Sequence, residues 1–186
     1  MGSPPGIQTG VLPITLRHLE VDDAPGLLDL RVRNRDFFEP FEPCHDDSFY
    51  TLEAQRAQIG LDLQRREADL GYVLGTFSSD GRLIGWVSLS QVFRRAFQNA
   101  VMGYAIDRAH NGRGYATEAV RGTLRFAFEE LGLHRVQASV MPRNLASVRV
   151  LEKAGFRYEG LARRYLQING AWEDHRLFAI TAEEWA

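Results

Sequence analysis

Apolar and polar positions alternate from Ile14 to Leu19, and a period of two predicts a first strand. Asp22-Asp23 then offers N-cap chemistry for a helix with Leu27, Leu28 and Leu30 inward, ending near Val32. Residues 34 to 50 carry Pro40, Pro43, Phe37, Phe38, Phe41, Phe49 and several acids. So many aromatics predict an ordered loop. Thr51 opens a second helix to about Ala68, with Leu52, Ile59 and Leu63 inward.

Strand patterns dominate the middle of the chain. Gly71 to Phe77 and Leu83 to Leu89 flank the hairpin turn Ser79-Asp80-Gly81, and Ala100 to Ile106 forms a further strand. From about Tyr115 to Leu131 the period changes, with Ala116, Val120, Leu124, Ala127, Phe128 and Leu131 at helical spacing until Gly132. Val136 to Val140 is a strand, and Asn144 to Ala154 a helix stopped by Gly155. Phe156 to Leu161 and Trp172 to Ile180 complete the pattern through a turn at Asn169-Gly170. This order predicts one α+β domain over residues 12–186, with a mixed, mostly antiparallel sheet of about seven strands flanked by about four helices. Residues 1–11, rich in Gly and Pro, are expected to form a flexible tail.

Composition narrows the functional classes. Over 186 residues, 45% are hydrophobic and 25% charged, with a formal net charge of -2. That balance supplies no global field for nucleic acid or membrane, leaving only local pairs such as Arg94-Arg95 and Arg163-Arg164. Direct nucleic-acid binding is therefore not expected as the main role. Cys44, the single cysteine, cannot form an internal disulfide, and a reducing cytoplasm fits it. No apolar run is long enough to span a bilayer, and the N-terminus lacks a signal-peptide pattern. No His, Cys or Asp cluster has zinc spacing, so no metal is expected.

The segment Asn111-Gly112-Arg113-Gly114-Tyr115-Ala116-Thr117 carries chemistry. It lies between a strand and a helix, where unpaired backbone N–H groups and the helix dipole attract anions. Gly112 and Gly114 would let backbone approach a phosphate, and Arg113 adds charge. A plain tight turn explains the same glycines. The dinucleotide fingerprint is incomplete, because the next strand ends in Val140-Met141-Pro142-Arg143 without an acid. A P-loop lysine followed by Ser or Thr is also missing.

Asn144-x-x-Ser147-x-x-Val150-Leu151-Glu152-Lys153-x-Gly155-Phe156 is the second pattern. A capped amphipathic helix accounts for Asn144, Val148, Leu151 and Gly155, but not for a hydroxyl at Ser147 along the apolar face.

Together these segments resemble the GCN5-related N-acetyltransferases (GNAT). Their cofactor turn reads Gln/Arg-x-x-Gly-x-Gly/Ala, and Asn111-x-x-Gly114-x-Ala116 departs only at the first position. The resemblance implies that amides of residues 112–117 hold the pyrophosphate of acetyl-CoA, used as co-substrate. It also implies that the strand with Met102, Tyr104 and Ile106 pairs with the pantetheine arm, and that Asn144 contacts it. Many members have Tyr at the position of Leu151 as general acid, which leaves Ser147 as the candidate proton donor here. The stretches 34–43 and 141–175 further resemble the Rim-type ribosomal-protein alanine N-acetyltransferases.

By that resemblance the acceptor is a protein or peptide N-terminus, ribosomal among the options, whose amine attacks the thioester directly. An α-amino group, with pKa of about 7.7–8.0, is roughly a tenth neutral at pH 7, whereas lysine at about 10.4 is almost wholly charged. Val101-Met102-Gly103-Tyr104 supplies no carboxylate base. Glu118, the Asp174-His175 pair, His110 and His134 are poor substitutes. Glu39, Glu42 and Asp174 are candidate acceptor contacts, beside Asp46 and Asp47. The alternatives are transfer to a small amine (aminoglycoside, amino acid or polyamine) and a non-catalytic acetyl-CoA-binding domain. Monomer and homodimer both remain open.

Overall fold

The computed structural model describes residues 6–8 and 12–185. Strands β1 (Ile7–Gln8), β2 (Ile14–His18), β3 (Tyr72–Ser78), β4 (Leu83–Phe93) and β5 (Asn99–Ile106) are followed by β6 (Arg135–Val140), β7 (Arg157–Ile168) and β8 (Ala171–Thr181). They form one sheet in the order β1-β2-β3-β4-β5-β6-β8-β7. The β5–β6 pair is parallel; the other neighbours are antiparallel. Helices α1 (Ala24–Arg33), α2 (Arg35–Phe38), α3 (Leu52–Glu67), α4 (Tyr115–Arg125), α5 (Leu145–Lys153) and α6 (Ala182–Trp185) complete the architecture. The expected α+β class with a mostly antiparallel sheet is the one found. Two of the helices, α2 and α6, have four residues each and carry too little periodicity to read from sequence.

The sheet is covered on both faces. Ala119, Val120 and Leu124 of α4 and Val148 and Leu151 of α5 pack on Leu16, Leu74, Val87, Met102 and Phe178. On the opposite face Leu27 and Leu30 of α1 and Ile59 of α3 pack with Phe77 and Leu83, with Trp86 alongside. Full burial of a Leu or Ile side chain contributes about 1.5–3 kcal/mol, so these two layers hold the sheet between the helix pairs.

Local differences from expectation have simple causes. Asp23 does not cap α1 with its side chain; its carboxylate takes the Glu20 amide at 2.8 Å and two Arg17 bonds at 2.7 Å. The helix after the glycine turn passes into one π turn at Phe126–Glu130, which apolar spacing cannot distinguish from α. The last hairpin is longer than its apolar runs, since exposed β7 shows little alternation. Within the segment expected as a tail, Ile7 and Gln8 pair with Leu16 and Thr15; the rest of that expectation, residues 1–5 and 9–11, lies outside the described residues.

Candidate active site

The parallel pairing of β5 with β6 covers only Asn99–Met102 against Arg135–Ala138. Beyond it, β5 runs on to Ile106 and β6 to Val140 without pairing to each other. A cavity of about 660 Å³ occupies this opening, and its walls come from both faces of the sheet. Residues of the glycine turn and α5 line one side, while Phe37, Phe38, Phe41, Glu42, Trp86 and Ser88 line the other. The cleft is thus a slot through the sheet.

Gly112 and Gly114 have φ of +76° and +88°, which explains glycine at both positions. Gly114 is the N-cap of α4, and Asn111, Gly112, Gly114, Tyr115, Ala116 and Thr117 all line the slot. A Cβ on Gly112 would meet nothing within 4 Å. Its glycine therefore answers to the backbone conformation and leaves open space in front of the amides. These are the properties of a phosphate cradle at a helix N-terminus. Arg113, in contrast, is exposed and does not line the slot.

The approach to this turn is pinned. The Asp107 carboxylate accepts from the Ala109 amide at 3.1 Å and from Arg33 Nε at 3.0 Å, and the Arg108 amide donates to Asn34 Oδ1 at 2.9 Å. Burial alone would raise the Asp107 carboxyl, but the Ala109 amide and Arg33 outweigh it and hold it below the usual range. The end of α1 and the glycine turn are joined by these bonds.

On α5, Asn144 Oδ1 caps the helix by accepting from the Ser147 amide at 3.1 Å. The Ser147 hydroxyl lies 2.8 Å from the Tyr104 hydroxyl, which also donates to the Ser147 carbonyl at 3.0 Å. Burial pushes the Tyr104 phenol far above its ordinary value, against a smaller opposing pull from the Ser147 bond. Tyr104 stays protonated, and with its one proton on the Ser147 carbonyl its oxygen accepts from the Ser147 hydroxyl, which ties the two side chains together at the wall of the slot. Met102 and Ile106 also line it, although their side chains belong to the core. Leu151 is fully buried in that core and does not line the slot.

The opposite side is aromatic with one acid. Among the described residues Glu42 is the single carboxylate lining the slot. Glu39 is exposed, does not line it, and contributes its carbonyl to a 2.7 Å bond from Asn169 Nδ2. Asp174 also turns away, accepting from the Arg164 amide at 2.9 Å. Its neighbour His175 does line the slot, because adjacent residues of a strand point to opposite faces. His110 is another lining residue, whereas Glu118 is buried 3.6 Å from Arg121 and does not line the slot. The Tyr104–Ser147 pair and Glu42's aromatic surroundings had no sequence signal, since strand register and loop folding create them.

One two-sided slot thus brings together a glycine-lined helix N-terminus and a hydroxyl pair. Residues 14–157 match the acetyltransferase (GNAT) domain, and the chain belongs to that family. It is 55% identical over 168 residues to YjcK of Bacillus subtilis (strain 168), named a probable N-acetyltransferase, covering 90% of this chain and 93% of that one. It is 32% identical over 173 residues to the [ribosomal protein uS5]-alanine N-acetyltransferase of Escherichia coli (strain K12), covering 92% and 89%. Mycobacterium smegmatis RimJ, solved in complex with CoA-disulfide, superposes with a TM-score of 0.90 at 31% identity over 96% of this chain and 87% of that one.

Proposed function

We propose that the protein transfers the acetyl group of acetyl-CoA to the α-amino group of a protein N-terminus, with a ribosomal protein as the first acceptor to test. The carrying observation is the slot itself, lined at one face by the glycine turn, Asn144 and Ser147, and at the other by Phe37, Phe41, Trp86 and Glu42. The turn fits a pyrophosphate by its open amides and positive φ, and the run of β5 left unpaired by β6 offers backbone for the pantetheine amides. The relatives active on ribosomal proteins support the choice of acceptor.

In this reading the neutral amine attacks the thioester carbonyl carbon directly. The C–N bond forms, the C–S bond breaks, and Ser147 gives its proton to the departing thiolate while Tyr104 holds it in place. A proton from the new ammonium nitrogen returns to Ser147. Adding acetyl-CoA and intact candidate acceptors, then locating +acetyl peptides by mass spectrometry, tests this. Acetylation confined to a panel of free amines would remove the protein acceptor, and absence of any acetylated product would remove the enzymatic reading.

A further inference from the structure

The acceptor side of the slot contains one carboxylate, and its surroundings are unusual. Glu42 is half-buried and lines the slot together with Phe37, Phe38, Phe41 and Trp86. Its cation, Arg31, stands 3.9 Å away, at the outer limit of an ion pair. The Arg31 guanidinium is placed over two rings instead, 4.4 Å from the Trp86 centroid and 4.8 Å from that of Phe49, and its buried Nε has no hydrogen-bond partner. Arg31 is therefore fixed near Glu42 without satisfying it.

We propose that Glu42 receives the acceptor's ammonium group in the slot and takes its proton before attack, with Arg31 as the positioning residue behind it. The proposal rests on the acetyl-transfer reading above. The ammonium gives one N–H proton to the Glu42 carboxylate, the freed lone pair forms the C–N bond, and Glu42 later releases that proton to water. Net charge and protons balance: an ammonium and a thioester yield an amide, a thiol and one solvent proton.

Burial pushes the Glu42 carboxyl up, and Arg31 pulls it down by less. A carboxylate so raised is a better match to an α-amine than a solvated one. The charged or titratable groups beside Arg31 and Glu42 include Tyr50 and His45 in the loop before α3 and Asp62 on α3, and the slot is also lined by Tyr104 on β5, His110 and Tyr115 at the glycine turn, Arg149 and Lys153 on α5, and His175 on β8. A second cavity, of about 490 Å³, shares Trp86 and Ser88 with the slot and is lined by Arg31, Gln58 and Asp62.

His175 is the competing acceptor of the proton. Its Nδ1 is 3.1 Å from the Glu173 carbonyl, and the residue lines the slot. Neutral imidazole, however, offers no charge to draw in an ammonium, and at pH 7 most of the acceptor is ammonium.

The test compares two peptides of one sequence, one with its α-amine and one with an N-terminal aminooxy group, a much weaker base that is already neutral. Glu42→Gln should lower kcat/KM for the α-amine about 100-fold, and for the aminooxy peptide by less than about fivefold. Glu42→Asp should restore part of the α-amine rate. Arg31→Lys, retaining charge but not the planar stack, should shift the acidic limb of the α-amine pH profile. Equal losses on both peptides, a rise in KM alone, or an amine-dependent loss in His175→Asn with Glu42→Gln unaffected would each overturn the assignment. Wild-type enzyme that acetylates neither peptide nor any free amine would instead overturn the transfer reading beneath it.

Discussion

The hydroxyls of Tyr104 and Ser147 lie 2.8 Å apart although they stand on β5 and α5, 43 residues apart in the chain. The strand side chain crosses the slot to fix the helix side chain. The Ser147 hydroxyl thereby has one defined partner.

Replacing either member should reveal their dependence. Ser147→Ala should reduce kcat about 100-fold, and Tyr104→Phe about tenfold. The double variant should fall little below Ser147→Ala alone, because residues acting as a unit are not additive. Thiol release at saturating acetyl-CoA gives all three rates, and full activity in Ser147→Ala would remove it as the donor.

Gly114→Ala should fail for conformational reasons. At φ of +88° a side chain is strained by about 1–3 kcal/mol, and its Cβ would approach Leu12 Cδ1 to 3.4 Å. The melting temperature should drop by several degrees and the stabilisation by acetyl-CoA should shrink. Gly60→Ala, within α3 and with nothing inside 4 Å, is the control and should stabilise by roughly 0.5–1 kcal/mol.

Asp107 should make stability pH-dependent at the acid end. Its folded pKa is depressed, so its contribution is complete above the unfolded value of about 3.9 and disappears as pH falls through the folded value. Urea midpoints of wild type and Asp107→Asn should differ at pH 7 and converge as pH falls through and below the usual carboxylate range. A constant gap across that range would assign the effect to packing.

Leu151→Tyr should not create a general acid. The side chain is fully buried against the sheet, and the larger ring should cost about 1–3 kcal/mol by overpacking. Calorimetry should show a lower melting temperature, and kcat should not rise. A faster variant would indicate that a phenol there reaches the slot.

The sequence carried the architecture where burial imposes a period. Leu27 and Leu30, or Val120 and Leu124, could be placed on their helices because each faces an apolar sheet. The glycine turn was legible because positive φ restricts residue choice at 112 and 114. Asn144 was legible as a cap for a comparable reason, a side chain bonding an amide three residues on. Glu39 and Glu42 looked alike in the string, and only the fold of the intervening turn sends one to solvent and the other inward. Asp174 and His175 likewise read as a pair, yet strand alternation separates them. Tyr104 meeting Ser147 depends on the register of a strand against a helix, for which no local residue pattern exists.

The bonds from Asn169 Nδ2 to the Glu39 carbonyl and from Arg143 to the Pro40 carbonyl join segments 130 and 103 residues apart. The loop that bears Glu42 is thus held by parts of the chain made much later. During synthesis, which delivers the N-terminal part first, residues 37–42 emerge with none of these anchors present. That wall of the slot takes its final form only once the last hairpin has been translated and docked.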